Sequence, residues 1–362
     1  MEEIYEEIGY GLEGCVYKPG FCKSNHKHPE RGYISKVFKT GKNKVDAEIQ
    51  RYASLNLSAI DPEMKYFISE PEVCDLDPTD SSSFETARKE TDCKHIPKAY
   101  YALNYIDGGQ DLFVILSQIY DMYEVGQFLP LTKWNEYLYA FKNVFEGIKL
   151  LNENGIYHMD VKPDNIVFDN FHDPPLFKLI DFGLSHTDAN PPIKTLGSFK
   201  YIPPEMYMFP RPGLPDTYSQ YYYFFNNKNA SGETTILEQP MVEYYEHLTD
   251  EEKYTKADVW ALGMTLLDIH NIINGSPNYT EKELDIYNGL VTLAHKMIDP
   301  YVESRITIAE ALNEYNTFLT TLRVKNTTIG GKTKKRKNLQ KKKKTKKRKN
   351  LQKKKKTKGR RN

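Results

Sequence analysis

The chain has 362 residues, 39% of them apolar, which is enough for one large or two modest domains and rules out a small disulfide-stapled scaffold. Its formal net charge of +1 hides a division: residues 331–362 carry 20 of the 50 Lys and Arg and no acid, so 30 basic residues face 49 acidic ones in 1–330, a balance of −19. An acidic body with a basic tail excludes a body that grips nucleic acid over a broad basic face. No run of 18 apolar residues occurs and the opening MEEIYEEIGY is acidic, which argues against a membrane span or a secretory signal. Cys15, Cys22, Cys74 and Cys93 show no repeated close spacing and read as reduced cysteines of an intracellular protein, in cytoplasm or nucleus.

In chain order, residues 4–16 read as a strand, a glycine-rich turn and a returning strand, and 34–38 (ISKVF) as a third strand. Residues 43–57 have helical spacing, with Val45, Ile49, Tyr52 and Ala53 on one side. The polar stretch 75–94 reads as a surface loop. Two apolar runs, 100–106 and 112–119, flank Asp-Gly-Gly and predict a β-hairpin. Trp134, Tyr137, Phe141, Val144, Phe145, Ile148 and Leu151 mark a long amphipathic helix over 133–154, closed by Gly155. Strands at 166–168 and 177–180 follow, and the remainder, including 259–269 and 287–298, reads as helical. A sheet-rich part followed by a helix-rich part predicts two lobes with a cleft between them.

Within this frame, Gly9-Tyr10-Gly11-Leu12-Glu13-Gly14-Cys15-Val16 fits G-x-G-x-x-G-x-V, whose missing side chains let backbone N–H groups approach phosphate oxygens. The glycines lead into a strand rather than a helix, which disfavours a dinucleotide fold. Taken alone, they serve a hairpin equally well. Lys36 lies on a strand between Ile34 and Val37, pointing to the face opposite its apolar neighbours, and Glu48 lies twelve residues on; an isolated pair of this kind is more often a solvated surface pair. The deciding stretch is His158-Met159-Asp160-Val161-Lys162-Pro163-Asp164-Asn165 followed by Asp181-Phe182-Gly183. It supplies a carboxylate able to accept a hydroxyl proton, a lysine for developing phosphoryl charge, and an amide with a second carboxylate suited to Mg²⁺.

On these motifs the sequence resembles the eukaryotic-type serine/threonine protein kinase family over most of residues 4–322. The resemblance implies an α+β, bilobal protein kinase fold. Its small sheet-rich N-lobe would span 1–120 with an insertion near 56–98, and its larger helical C-lobe 121–325 with an insertion near 208–250. A disordered basic tail would follow at 326–362. It implies ATP and Mg²⁺ as cofactors and Ser/Thr hydroxyls of proteins as acceptors, the latter from Lys162 two residues after the base. It assigns Ile8, Gly9, Gly11, Gly14 and Val16 to the nucleotide-covering hairpin, Lys36 and Glu48 to the lysine–glutamate pair, and Leu116 to Ile119 to the adenine hinge. Asp160 becomes the catalytic base, Lys162 the partner of the transferring phosphate, and Asn165 and Asp181 the metal ligands. Gly197 to Glu205 resembles the end of an activation segment, Asp258 to Gly263 a buried anchoring helix, and Arg305 the partner of Glu205.

Departures from the family pattern set further expectations. Met159 stands where the family has an arginine that binds a phosphorylated activation loop, so control by loop phosphorylation is not expected. Cys22, His26, His28, Cys74, Cys93 and His95 have irregular spacing and read as ordinary side chains before they read as a zinc site. The twelve-residue unit TKKRKNLQKKKK occurs at 333–344 and 345–356, and predicts adhesion of residues 331–362 to nucleic acid or another polyanion. The insertions, the GCVYKPGFC segment and this tail together resemble kinases encoded by large cytoplasmic DNA viruses, which implies a host-cell or virion location. Alternatives that stay open are a pseudokinase scaffold, a small-molecule phosphotransferase of related fold, and a polyanion-binding protein acting through its tail.

Overall fold

The structure, a computed structural model, describes residues 6–10, 14–20, 32–38, 42–69, 71–75, 101–187, 199–207, 244–245, 247–276 and 278–323. The chain divides into two units, 1–314 and 315–362. In the second, residues 315–323 are helical and the Tyr315 ring lies against Phe318, centroids 5.8 Å apart. Most of the 75–94 loop, the 208–250 insertion up to residue 243, the basic tail, and Gly11, Cys22, His26, His28, Cys93 and His95 lie outside the described residues.

The first unit opens with a five-stranded antiparallel sheet. Strands β1 (Glu6–Tyr10), β2 (Gly14–Lys18), β3 (Tyr33–Phe38), β4 (Glu72–Asp75) and β5 (Tyr101–Ile106) are ordered β1-β2-β3-β5-β4. The period-2 geometry of β3 sends Tyr33, Ser35 and Val37 to one face and Lys36 and Phe38 to the other. Helix α1 (Lys42–Leu55) covers that second face, where Val45 packs with Phe38 and Leu103. Its inward stripe is Val45, Glu48, Tyr52 and Leu55. Ala53, expected on this stripe, is exposed, because the 3.6-residue period that buries Tyr52 turns its neighbour outward. On the opposite face Cys15, Val37 and Ala102 pair across three strands with no exposed surface. Cys15 is also disulfide-bonded, where sequence spacing predicts a reduced thiol. Spacing along the chain does not report which sulfurs the fold brings together.

The hairpin expected from 100–106 and 112–119 does not form. Residues Leu112–Glu124 are helix α2, N-capped by Asp111, whose carboxylate accepts from Val114 N at 2.8 Å. The buried positions 112, 115, 116 and 119 are the i, i+3, i+4, i+7 stripe of a helix, which a continuous apolar run conceals. Leu116 and Ile119 are therefore core residues of α2 and do not form an adenine hinge. The crossing between lobes is made by Asp107-Gly108-Gly109. Asp107 Oδ1 accepts from Gly109 N at 2.9 Å and its Oδ2 pairs with Lys18 at 2.5 Å. Gly109 has φ +89°, and a Cβ there would lie 2.3 Å from the Phe168 carbonyl oxygen, so only glycine fits.

Beyond the crossing lie β6 (Gln110–Asp111), α2, α3 (Leu131–Glu153), β7 (Ile156–Tyr157), β8 (Ile166–Asp169), β9 (Leu176–Leu179), β10 (His186–Thr187), α4 (Pro204–Tyr207), α5 (Asp250–Thr255), α6 (Ala257–Asn274) and α7 (Asn288–Met297). Strands β6, β8 and β9 form a three-stranded sheet against α3. Gly155, at φ +64°, follows α3 as its sequence position predicts. The fold is the bilobal α+β arrangement expected, and two polar clusters join its parts. Asp61 accepts the N–H groups of Lys65, Tyr66 and Phe67 at 2.7–2.9 Å. Tyr66 O and Ile68 N then bond both backbone groups of Leu179 on β9, at 2.9 and 3.1 Å. The chain leaving α1 is thereby fixed to the second lobe. Deeper in that lobe, Arg305 forks onto both oxygens of Glu205 at 2.6 and 3.0 Å, with all of both side chains buried and the guanidinium 4.9 Å from the Trp260 ring centre.

Candidate active site

The loop after β7 is held from below. Asp258 on α6 is 1% exposed, and its carboxylate accepts His158 N at 2.7 Å and Met159 N at 2.8 Å. These bonds keep Met159 in the left-handed region, φ +66°. The next residue, Asp160, then faces Lys162, whose ammonium donates to Asp160 Oδ2 at 2.8 Å. Asn165 Nδ2 donates to the same Oδ2 and to Asp160 O, both at 2.8 Å. The other oxygen, Asp160 Oδ1, is buried without a hydrogen-bond partner among the described residues. Burial raises the Asp160 pKa, with Lys162 and Asn165 pulling the other way.

A second cluster gathers around Lys36. Its ammonium lies 3.2 Å from both oxygens of Glu48 and 3.3 Å from Asp181 Oδ1. Burial raises the Glu48 pKa against the pull of Lys36. Burial acts the same way on Asp181, but the Lys36 ammonium and the Gly183 N–H outweigh it and hold that carboxyl below its ordinary value. Asp181 adopts φ +59° and keeps 41% of its side chain exposed, so it stays open to the cleft. The two clusters meet at Ile180, whose N–H donates to Asn165 O at 3.0 Å and whose carbonyl lies 3.0 Å from His158 Nε2.

Sequence reasoning placed Lys36, Glu48, Asp160, Lys162, Asn165 and Asp181 at one site, and the structure gathers all six. On the glycine hairpin, Gly9 pairs with Val16 and Tyr10 with Cys15, with an irregularity in register at Ile8, which is 44% exposed. Gly14 packs so closely that a Cβ would lie 2.0 Å from Val37 O. Three further residues join the site. The Tyr105 hydroxyl donates to Glu48 Oε1 at 2.5 Å, the Tyr52 hydroxyl accepts from Phe182 N at 3.3 Å, and Arg51 donates to Ser185 O at 2.6 Å. The helical stripe marks Tyr52 as inward-facing, yet nothing in sequence spacing assigns its hydroxyl.

A family model described as the protein kinase domain matches residues 3–213, more than half of the chain. The chain belongs to the protein kinase domain family. It is 28% identical over 219 residues to the interferon-induced, double-stranded RNA-activated protein kinase of Rattus norvegicus, covering 56% of this chain and 36% of that protein. It is 31% identical over 163 residues to the serine/threonine-protein kinase PTK2/STK2 of Saccharomyces cerevisiae, covering 39% of this chain and 19% of that one. The chain thus spans about a third or less of the length of these relatives. Asp160 and Asp181, which carry the chemistry proposed below, both fall inside the matched region.

His158 sits at the centre of this kinase-family site, fully buried and 4.7 Å from the Phe182 ring centre. Burial holds its pKa below 6.5. Its Nε2 faces a carbonyl while Nδ1 accepts from Asp160 N at 3.3 Å, so the neutral ring uses both nitrogens. The unfolded chain therefore binds this proton more readily, and the stabilisation is complete above pH 6.5 and lost as pH falls through and below that value. Denaturant titrations between pH 7.5 and 5 are expected to show unfolding free energy falling with pH, with a slope of up to about 1.4 kcal/mol per pH unit from this group. A His158→Phe chain is expected to lack that component.

Proposed function

We propose that this chain transfers the γ-phosphoryl group of ATP, with Mg²⁺, to Ser and Thr hydroxyls of proteins. The observation that carries the reading is the division of labour at Asp160. One carboxylate oxygen is held by Lys162 and Asn165, and the other is buried and unpartnered, the state of an acceptor prepared for a hydroxyl proton. Asp160 orients the attacking oxygen and takes its proton. Lys36, held by Glu48, and Lys162, held by Asp160, supply the positive charge that offsets the transferring phosphate. Among the described residues the donor set suits a hard cation. The amide nitrogen of Asn165 is used internally, which leaves its oxygen, and Asp181 offers an exposed carboxylate kept ionised by Lys36. Mg²⁺ held there would neutralise phosphate charge. Every group needed for turnover is present, which favours an enzyme over a pseudokinase scaffold. The test is transfer of label from ATP to a degenerate Ser/Thr/Tyr peptide array. Asp160→Asn and Asp181→Asn are each expected to lower kcat by about 10²- to 10⁴-fold with the fold intact. Near-normal turnover in either folded variant would refute the assignment.

The same reading extends to control. Met159 packs against Tyr157, Ile202, Met206 and Tyr254, an apolar contact with the end of the activation segment where the family has an arginine–phosphate pair. Arg51 ties α1 to Ser185 O without a phosphate, and Ser185 Oγ donates to His158 O at 3.1 Å. Activity therefore does not depend on loop phosphorylation. Initial rates measured before and after complete phosphatase treatment are expected to agree within about twofold, whereas an arginine–phosphate switch gives orders of magnitude.

A second activity is favoured by charge alone. Twenty cationic side chains in 32 residues with no acid favour polyanions through counterion release. Deleting residues 331–362 is expected to abolish retention on heparin or DNA at moderate salt and to leave transfer to a short peptide unchanged. A truncated chain that still binds DNA would place that activity elsewhere.

A further inference from the structure

Lys36 occupies an unusual position between carboxylates. Three oxygens of the described residues, Glu48 Oε1, Glu48 Oε2 and Asp181 Oδ1, lie at 3.2, 3.2 and 3.3 Å from its ammonium. Charge-assisted N–H···O bonds normally close to about 2.7–2.9 Å, so no one of these contacts fixes the ammonium tightly. Shorter than any of these three is a contact that the lysine does not make. The Tyr105 hydroxyl donates to Glu48 Oε1 at 2.5 Å, within the range of a phenol bonded to an ionised carboxylate.

The sheet dictates this meeting. Strand β5 pairs antiparallel with β3, with Tyr105 opposite Ile34 and Leu103 opposite Lys36. Tyr105 and Lys36 are thus diagonal neighbours on the face that α1 covers. Glu48 descends from α1 between them and is 5% exposed. The Tyr105 ring packs with the Phe38, Val45 and Leu103 cluster and lies 6.1 Å from the Tyr52 ring. Its backbone and ring are therefore set by strand and core, and its hydroxyl is a fixed donor rather than a mobile one.

We propose that Tyr105 is a positioning residue, whose hydroxyl clamps the Glu48 carboxylate against α1 and so holds Lys36 at the distance a bound polyphosphate needs. This rests on the reading of the cleft as a phosphate site. Among the described residues, loss of the hydroxyl leaves Glu48 with Lys36 as its one side-chain hydrogen-bond partner. The carboxylate then closes on the ammonium, and Lys36 is withdrawn from the phosphates and from Asp181. The nucleoside moiety of a ligand touches none of this.

The experiment is isothermal calorimetry of the full chain and of Tyr105→Phe with two probes, Mg·ADP and adenosine. The variant keeps the ring and removes one oxygen. Its preference for Mg·ADP over adenosine is expected to fall by about fivefold or more, with adenosine affinity unchanged within about twofold. In peptide phosphorylation its kcat is expected to fall about tenfold with the peptide KM unchanged. An unchanged preference overturns the proposal. So does an equal loss of both ligands, which marks a packing role, and so does a wild-type chain that fails to distinguish the two probes. If the wild-type chain shows the preference, the variant loses it, and neither transfers phosphate, the kinase reading fails and the positioning role stands.

Discussion

The cleft depends on a carboxylate that is outside it. Asp258 is buried in α6 and makes its bonds to two successive amides, those of His158 and Met159. Left-handed backbone at a methionine costs of order 1–3 kcal/mol. Two hydrogen bonds to a buried ion offset that cost and convert it into placement, since the turn at Met159 is what brings Asp160 round to Lys162 and Asn165. Burial pushes the Asp258 carboxyl up, and His158 and the two amides act against that rise. Helix α6 is itself fixed by close packing on α7. At Gly263 a Cβ would stand 2.8 Å from Met297 Cβ and from Ile298 Cγ2, so the helices meet backbone to side chain with no room for adjustment.

Above this base, order passes upward through rings. His158 lies on Phe182, Phe182 makes edge contacts with Phe67 and Tyr52, and Tyr52 lies beside Tyr105. The stack connects the loop held by Asp258 to the strand that faces Lys36. It uses dispersion and burial, which need no modification to be switched on and are little affected by salt. The Met159 contacts with Ile202 and Met206 have the same character.

The sequence was most informative where function forces residues to be contiguous. The stretch 158–165 and the triplet 181–183 carry their chemistry in fixed order, and the family resemblance they establish is what pairs Lys36 with Glu48. It was least informative where two signals shared one pattern. The run Leu112 to Ile119 satisfies both a buried strand and a buried helix, and the arbiter was the N-cap at Asp111, one residue upstream. Tyr105 was invisible for another reason. In a strand its letters read as ordinary apolar packing, and the role of its hydroxyl depends on a glutamate 57 positions away. The disulfide at Cys15 belongs to the same class, because spacing along the chain does not report it.

The small lobe is joined to the large one twice. One junction, Asp107-Gly108-Gly109, is covalent and rich in torsional freedom. The other is the stretch from Asp61 to Ile68, sewn to β9 through Tyr66, Ile68 and Leu179. Together with the Arg51 bond to Ser185 O, these fix the last turn of α1, with Leu55 as its pin. Glu48 lies seven residues from the pin, about 10 Å along the axis at 1.5 Å per residue. A swing of about 6° then carries the glutamate through about 1 Å, enough to break a hydrogen bond that starts at 2.5 Å. Small angular errors at the far end of the helix are thus read out, at its midpoint, as the presence or absence of a single contact.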